Sequence, residues 1–255
     1  MNILSLPAIY DMAFQFRDTA KTVDFLEDCV EMYTDIPVES VVEFACGSGC
    51  FTTEFARRGY RTYGVDIDRD MCDYAARRAQ AERLDVTVFQ ADMVDATLPR
   101  SCDLALNLFD SLTYVTDERR IIRHLHAAAD ALTPGGLYIV EVGVIDDIRN
   151  HQSDDIWTET RGDCSVTTCY RRHEAIDPER GTFTEECRFR VACRTEYSVL
   201  VLKQAKLALM FQEFIRMVER SKRFIPIVFF DEFAPDAFLP QDAVPWRVIA
   251  VLLKE

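Results

Sequence analysis

The sequence predicts an α/β domain in which a largely parallel sheet is covered by helices on both faces, with an antiparallel stretch inserted late in the chain. Three observations carry this. Between residues 41 and 142, short apolar runs alternate with helix-patterned segments, the pattern of strands buried on both faces. Gly47 and Gly49 close the first of those runs in a chain with only nine glycines, where a parallel sheet places its ligand-binding turn. From about 154 to 204 the pattern becomes period-two and rich in Thr, Val, Tyr and Phe, as a meander requires. At 255 residues the chain suits one domain with an insertion better than two domains. Residues 1–153 and 205–255 are expected to form the main unit and 154–204 the inserted strands.

In chain order, the stretch up to Tyr33 reads as helical, with Tyr10 and Phe14 ahead of its main helix. Strands are predicted over 41–45, 61–65, 86–90, 104–109 and 137–142. The helix after Asp68 has an Asp cap and acids in its first turn. The helix after Thr116 opens with Asp117 and Glu118, then sets Ile121, Leu125, Ala128 and Leu132 on one face before Pro134-Gly135-Gly136 stops it. Within the meander, residues 177–181 form a turn. Met210, Phe211, Phe214, Ile215 and Val218 recur at helical spacing, and 224–230 with 246–253 form a closing antiparallel couple.

Composition narrows the function. A net charge of −14 repels polyanions, and short basic clusters such as Arg119-Arg120 and Arg171-Arg172 do not offset it, so a small molecule is expected as partner rather than nucleic acid. No apolar run is long enough for a membrane span, and the first residues lack a basic leader region. Nine cysteines without paired spacing fit free thiols in a reducing, cytoplasmic setting.

The glycine pair lets the backbone turn tightly and lets a ligand approach main-chain N–H groups at the start of the next helix. A dinucleotide loop wants a third glycine where Thr52 stands, and a phosphate loop wants a Lys-Ser/Thr pair that is absent. Glu43, in the strand just ahead, would repel a pyrophosphate but suits a ligand bearing positive charge.

The string E-F-A-C-G-S-G (43–49) resembles the first motif of class I S-adenosylmethionine (SAM)-dependent methyltransferases, and four further matches follow in register. They are G-V-D-I-D (64–68), Q-A-D-M (90–93), D-L-A-L-N-L-F-D-S-L-T-Y (103–114) and L-T-P-G-G (132–136). The resemblance covers nearly the whole chain. It implies a Rossmann-like, seven-stranded, mostly parallel sheet with helices on both faces plus the inserted meander. It implies that Asp66 accepts the ribose hydroxyls, that Ile67 packs on the adenine, and that Asp92 and the backbone at Met93 meet the adenine edge. Glu43, Ala45, Gly47, Gly49, Met71, Asn107 and Phe109 complete the cofactor set, with S-adenosylhomocysteine (SAH) as product. L-F-D-S-L-T-Y-V (108–115) is most similar to the small-molecule branch that includes amino-sugar N-methyltransferases and relatives of glycine N-methyltransferase. An amine acceptor is expected, in a pocket above the carboxyl ends of the strands and roofed by the meander. Tyr10, Tyr114 and Glu141 are the candidate catalytic residues, acting by orientation, with Phe14 and Trp157 as further lining. A homodimer is compatible with this reading. The rivals are a SAM-binding regulatory or partner protein without turnover and an NAD-dependent oxidoreductase.

Metal chemistry is not expected. His124 and His126 lie two apart on a helix and face apart, while His151 and His173 are isolated. Cys164, Cys169, Cys187 and Cys193 have no zinc-knuckle spacing, and Cys46 and Cys50, flanking the glycine loop, read as small apolar groups.

Overall fold

The computed structural model describes residues 7–145, 154–172, 176–177, 179–240 and 245–255; His151 and His173 lie outside them. The main sheet is built from β1 (Ser40–Phe44), β2 (Arg61–Asp66), β3 (Val86–Gln90), β4 (Cys102–Asn107) and β5 (Leu132–Gly143), all parallel. Helices α1 (Pro7–Ala13) and α2 (Thr19–Tyr33) precede the sheet, and α3 (Cys50–Arg57), α4 (Arg69–Glu82) and α5 (Glu118–Ala131) connect its strands. Asp68 and Asp117 cap α4 and α5 as expected, accepting from Met71 N and Arg120 N at 3.0 Å each.

Each residue of β1 is buried, and its side chains alternate between two cores. Val42 and Phe44 join the layer under α5, whereas Val41 joins Phe51 and Phe55 of α3 and Phe25 and Leu26 of α2. Glu43 shares the α3 side with Val41 by the same alternation.

Two boundaries differ from expectation. The α5 stripe buries Ile121, Leu125 and Ala128, but the helix ends at Ala131, and Leu132 instead opens β5 by pairing with Cys102. Pro134-Gly135-Gly136 is taken up inside that strand, where the β4–β5 register shifts and Gly135 adopts φ 81°. Strand β4 stops at Asn107 rather than running to Phe109, because Phe109 and Asp110 turn into the left-handed region at φ 65° and 54°.

The inserted strands β6 (Asp154–Arg161), β7 (Cys164–Arg172), β8 (Thr182–Cys193) and β9 (Glu196–Leu207) pair consecutively and antiparallel as a second, four-stranded sheet. Its inner face, with Val166, Phe189, Val191 and Leu200, packs on Met12 and Ala13 of α1. Cys164 and Cys193 stand directly opposite in β7 and β8 and are joined as a disulfide, which corrects the expectation of free thiols for this pair; the other seven cysteines are free. Helix α6 (Phe211–Ser221) leads to β10 (Phe224–Phe230) and β11 (Arg247–Lys254), which close the main sheet antiparallel on the β5 edge. The order is β10-β11-β5-β4-β1-β2-β3. The strand order reverses between the parallel neighbours β1 and β4, and the crevice at their carboxyl ends is where open α/β sheets bind ligands. Among the described residues no helix is long and apolar enough to cross a membrane.

Candidate active site

The turn from β1 into α3 puts Ala45, Gly47 and Gly49 in the left-handed region at φ 57°, 54° and 75°. Gly49 has a second constraint, since a Cβ there would sit 2.8 Å from that of Ala75 on α4. Ala45, lacking glycine's freedom, holds this conformation at a cost of about 1–2 kcal/mol, and such strain gathers at ligand sites. Glu43, 4% exposed, points at the start of α3 and accepts from the amide of Thr52 at 3.0 Å and its hydroxyl at 2.5 Å. Burial nevertheless pushes its carboxyl up to about 8, against the lowering by these two bonds. Thr52, which the sequence presents only as a missing glycine, is therefore the partner that lets an acid sit in a buried strand.

Asp66 ends β2 beside this turn. The resemblance assigns its carboxylate to a ligand, yet its two oxygens already accept from Gly47 N and Asp68 N at 2.8 Å each. The carboxylate thus fixes the glycine turn against β2, and burial raises its pKa. Unused lone pairs remain on both oxygens.

A crevice of about 260 Å³ opens here, lined by Ala45, Gly47, Asp66, Ile67, Met71, Asp92 and Met93. Ile67 is 66% exposed at its edge, an apolar surface for a flat ring. Among the described residues of this lining, the one cation, Arg120, is paired with Asp92 at 2.6 Å. Met93 is held from behind: its carbonyl meets His124 Nδ1 at 2.9 Å, and Nε2 of that ring meets the Tyr138 hydroxyl at 2.8 Å. Burial lowers the His124 pKa to about 4 and keeps the ring neutral. Asn107 is not part of the lining. It is fully buried and donates to Phe44 O at 3.2 Å, tying β4 to β1, because its side chain falls on the covered side of the strand.

Tyr10 borders this crevice, a neighbouring cleft of about 240 Å³ at the glycine turn, and a third of about 380 Å³ under the inserted sheet. Helix α1 is pinned over them by Asp11, whose carboxylate reaches Ser48 (3.1 Å), Cys50 (3.1 Å), Arg78 (2.8 Å) and Arg161 (3.2 Å). Trp157 of β6 donates to Ala13 O at 2.6 Å. Phe14, Phe109, Tyr114, Glu141 and Trp157 all line the third cleft, with Phe14 4.8 Å from Phe109 and 5.6 Å from Trp157 between ring centroids. Arg17 lies over the Phe109 ring at 3.1 Å, between the second and third clefts. Glu141 does not stand free as a base: its Oε2 accepts from Phe109 N at 2.6 Å and its Oε1 faces Arg247 at 3.5 Å. It orders the loop after β4.

The sequence did not disclose an ionic cluster in the same cleft. Buried Lys206 of β9 contacts Asp110 at 2.6 Å and Glu185 of β8 at 3.4 Å, and lies 4.6 Å from the Tyr114 ring centre. Burial opposes its charge, but Asp110, Tyr114 and Glu185 together outweigh that and raise its pKa. Asp110 also accepts from Gly143 N at 2.7 Å, and a Cβ on Gly143 would strike that carboxylate at 2.9 Å. Of this cluster only Asp110 and Tyr114, both inside the 103–114 motif, carried any signal in the sequence.

Residues 41–136 match the family model described as a methyltransferase domain. Over 135 residues, 52% of this chain, the sequence is 28% identical to the dTDP-3-amino-3,4,6-trideoxy-alpha-D-glucopyranose N,N-dimethyltransferase of Streptomyces venezuelae, a match spanning 55% of that protein, or about half its length. Among solved structures, Streptomyces venezuelae DesVI superimposes with a TM-score of 0.81 at 18% identity, covering 97% of this chain and 98% of that one. SAM-bound CalS10, an amino pentose methyltransferase from Micromonospora echinaspora, gives 0.73 at 14% identity, covering 97% of both chains. Residues 41–136 thus resemble a methyltransferase domain, and the fold as a whole is the one seen in SAM-dependent methyltransferase structures. Among those proteins the chain resembles the amino-sugar N-methyltransferases.

Proposed function

We propose that the protein transfers the methyl group of SAM to the amine of a small molecule of the amino-sugar class, the kind of acceptor named for its relative in Streptomyces venezuelae. The observation that carries this is the chemistry of the crevice at the glycine turn: buried Asp66, an exposed apolar Ile67, and, among its described lining, a single cation, Arg120, paired with Asp92. Such a lining disfavours a pyrophosphate and suits a cationic ligand with a diol and a flat ring. The NAD reading is further weakened because Thr52, where a dinucleotide loop has glycine, is committed to Glu43.

In this reading Asp66 takes the ribose, Ile67 and Met93 flank the adenine, Asp92 meets its edge, and Glu43 and Arg17 serve the amino-acid end. When bound, SAM supplies an electrophilic methyl group and leaves as a neutral thioether. The inserted strands 154–204 roof the acceptor cleft, where Phe14, Phe109 and Trp157 exclude water while Tyr10 and Tyr114 orient the acceptor. Holding an acceptor in line supplies roughly 7–11 kcal/mol, against about 3–5 kcal/mol from a positioned base, so orientation carries most of the rate.

The test is SAH release from SAM with a panel of amino sugars, headed by dTDP-3-amino-3,4,6-trideoxy-alpha-D-glucopyranose, beside hydroxyl counterparts. Release with amines and a product heavier by one methyl group support the proposal. Release with the hydroxyl set alone refutes the amine, and SAM binding without any release points to a protein that binds the cofactor without turnover.

A further inference from the structure

Four carboxylates line the acceptor cleft: Asp155, exposed on β6, and three that are buried or loop-held, Glu141, Asp110 and Glu185. Two are fully committed. Glu141 spends its oxygens on Phe109 N and Arg247, and Asp110 spends its own on Gly143 N and Lys206. Glu185 differs. The Tyr170 hydroxyl donates to Oε2, Lys206 Nζ lies 3.4 Å from the same atom, and the Tyr114 hydroxyl is a further partner, so its partners are side chains that border the cleft rather than loop amides. The residue is 4% exposed, and what surface it has borders the cleft.

We propose that Glu185 is the residue that takes the proton from the acceptor's ammonium. This rests on the amine reading above. An amine reaches the cleft largely protonated at neutral pH and cannot attack until it gives up one proton. The N–H bond breaks and the proton passes to the Glu185 carboxylate, leaving a lone pair on nitrogen. That pair forms the N–CH3 bond while the C–S bond breaks and its electrons stay on sulfur.

The surroundings suit the task. Burial raises the Glu185 pKa above the ordinary carboxylate range, with Lys206 pulling it back and Asp110 pushing it further up. The groups that face it are Tyr170 and its cross-strand partner Arg172 on β7, Cys187 on β8, Lys206 on β9, and Asp110 and Tyr114 from the loop after β4. Lys206 cannot itself be the base, since its neighbours hold it protonated.

The experiment measures kcat against pH, from 6 to 10, for wild type and Glu185→Gln with the amino-sugar panel. In wild type the proton stays in the complex, so kcat follows the Glu185 titration and shows no further rise through the amine's own pKa. In Glu185→Gln the amine must lose its proton to water. Its kcat should be about 10²–10⁴-fold lower at neutral pH and recover toward wild type as the pH passes the amine's own pKa. A deficit equal at every pH, or a profile unchanged from wild type, overturns the assignment. SAM affinity and melting temperature verify that the variant is folded. Tyr170→Phe gives an independent reading, because loss of its hydrogen bond makes the carboxylate more basic and moves the acid limb to higher pH; a limb that stays in place counts against Glu185. A wild type that methylates no amine defeats the amine reading and the inference with it, whereas an active wild type with an unaltered variant profile defeats the inference alone.

Discussion

Replacing Glu43 with Gln tests the electrostatics of the site through stability alone. Glu43 is buried in the middle of β1 with Thr52 as its hydrogen-bond partner, and its carboxyl titrates near 8 rather than the 4.5 of an exposed glutamate. A group whose folded pKa is raised contributes stability that is fully present below the unfolded pKa and is lost as pH climbs through the folded one. The span from 4.5 to about 8 corresponds to about 5 kcal/mol at most, with some two-thirds of it gone by neutral pH. The substituted amide would keep a carbonyl oxygen for the Thr52 amide and hydroxyl but has nothing to ionise. Urea denaturation of wild type and Glu43→Gln without cofactor, at intervals between pH 5 and pH 9, reads the difference directly, and all other titrating groups cancel in it. The variant should gain on wild type by several kcal/mol across that window, with the steepest change below pH 8. Parallel stability curves would refute the reasoning and mean that Glu43 is ionised at no cost.

Three further outcomes are expected. Asp66→Ala should weaken SAM binding by well over tenfold in calorimetry, since two charge-assisted bonds are worth roughly 1.5–3 kcal/mol each, while circular dichroism shows the fold retained; unchanged affinity removes Asp66 from the ribose site. Tyr10→Phe, Tyr114→Phe and Glu141→Gln should each lower single-turnover rates only in part, Glu141→Gln by loosening the Phe109 amide it holds; complete loss in any one, with both ligands still bound, would make that residue indispensable to the chemistry. His124 is neutral with a pKa near 4, a depressed value, so wild type should lose about 3 kcal/mol as pH falls from 6.5 to 4; a His124→Phe variant should lack that part of the acid sensitivity in denaturant titrations.

Much of the fold was legible because its signals are local. Apolar runs, Asp caps at 68 and 117, and the glycine pair each depend on neighbours within a turn or two. The closing couple was legible for the same reason, as two apolar strands separated by a polar stretch. The end of β4 was not, because the left-handed turn at Phe109 and Asp110 is imposed by contacts with Glu141, Gly143 and Lys206, residues far along the chain. Likewise the Leu132 boundary is set by pairing with Cys102, which competes with a helical stripe that could have included it.

For the site, the motif residues around Gly47 and Asp66 do converge on one crevice, although Asn107 faces the strand interior and Asp66 is already engaged with the turn. What the sequence concealed are pairings across the fold. Lys206 and Glu185 look like ordinary polar positions of a half-exposed meander, and only the packing of the inserted sheet on the loop after β4 buries them together. Cys164 and Cys193 were likewise invisible as a pair until the β7–β8 register set them opposite each other.

The central claim is transfer of a methyl group from SAM to an amine nitrogen. The most direct measurement is carbon-13 NMR of the reaction of methyl-labelled SAM with dTDP-3-amino-3,4,6-trideoxy-alpha-D-glucopyranose and the rest of the amino-sugar panel, with SAH quantified in the same tube. The account predicts a labelled N-methyl resonance growing in step with SAH. A labelled methyl on oxygen, sulfur or carbon, or SAM that stays intact while bound, would contradict it.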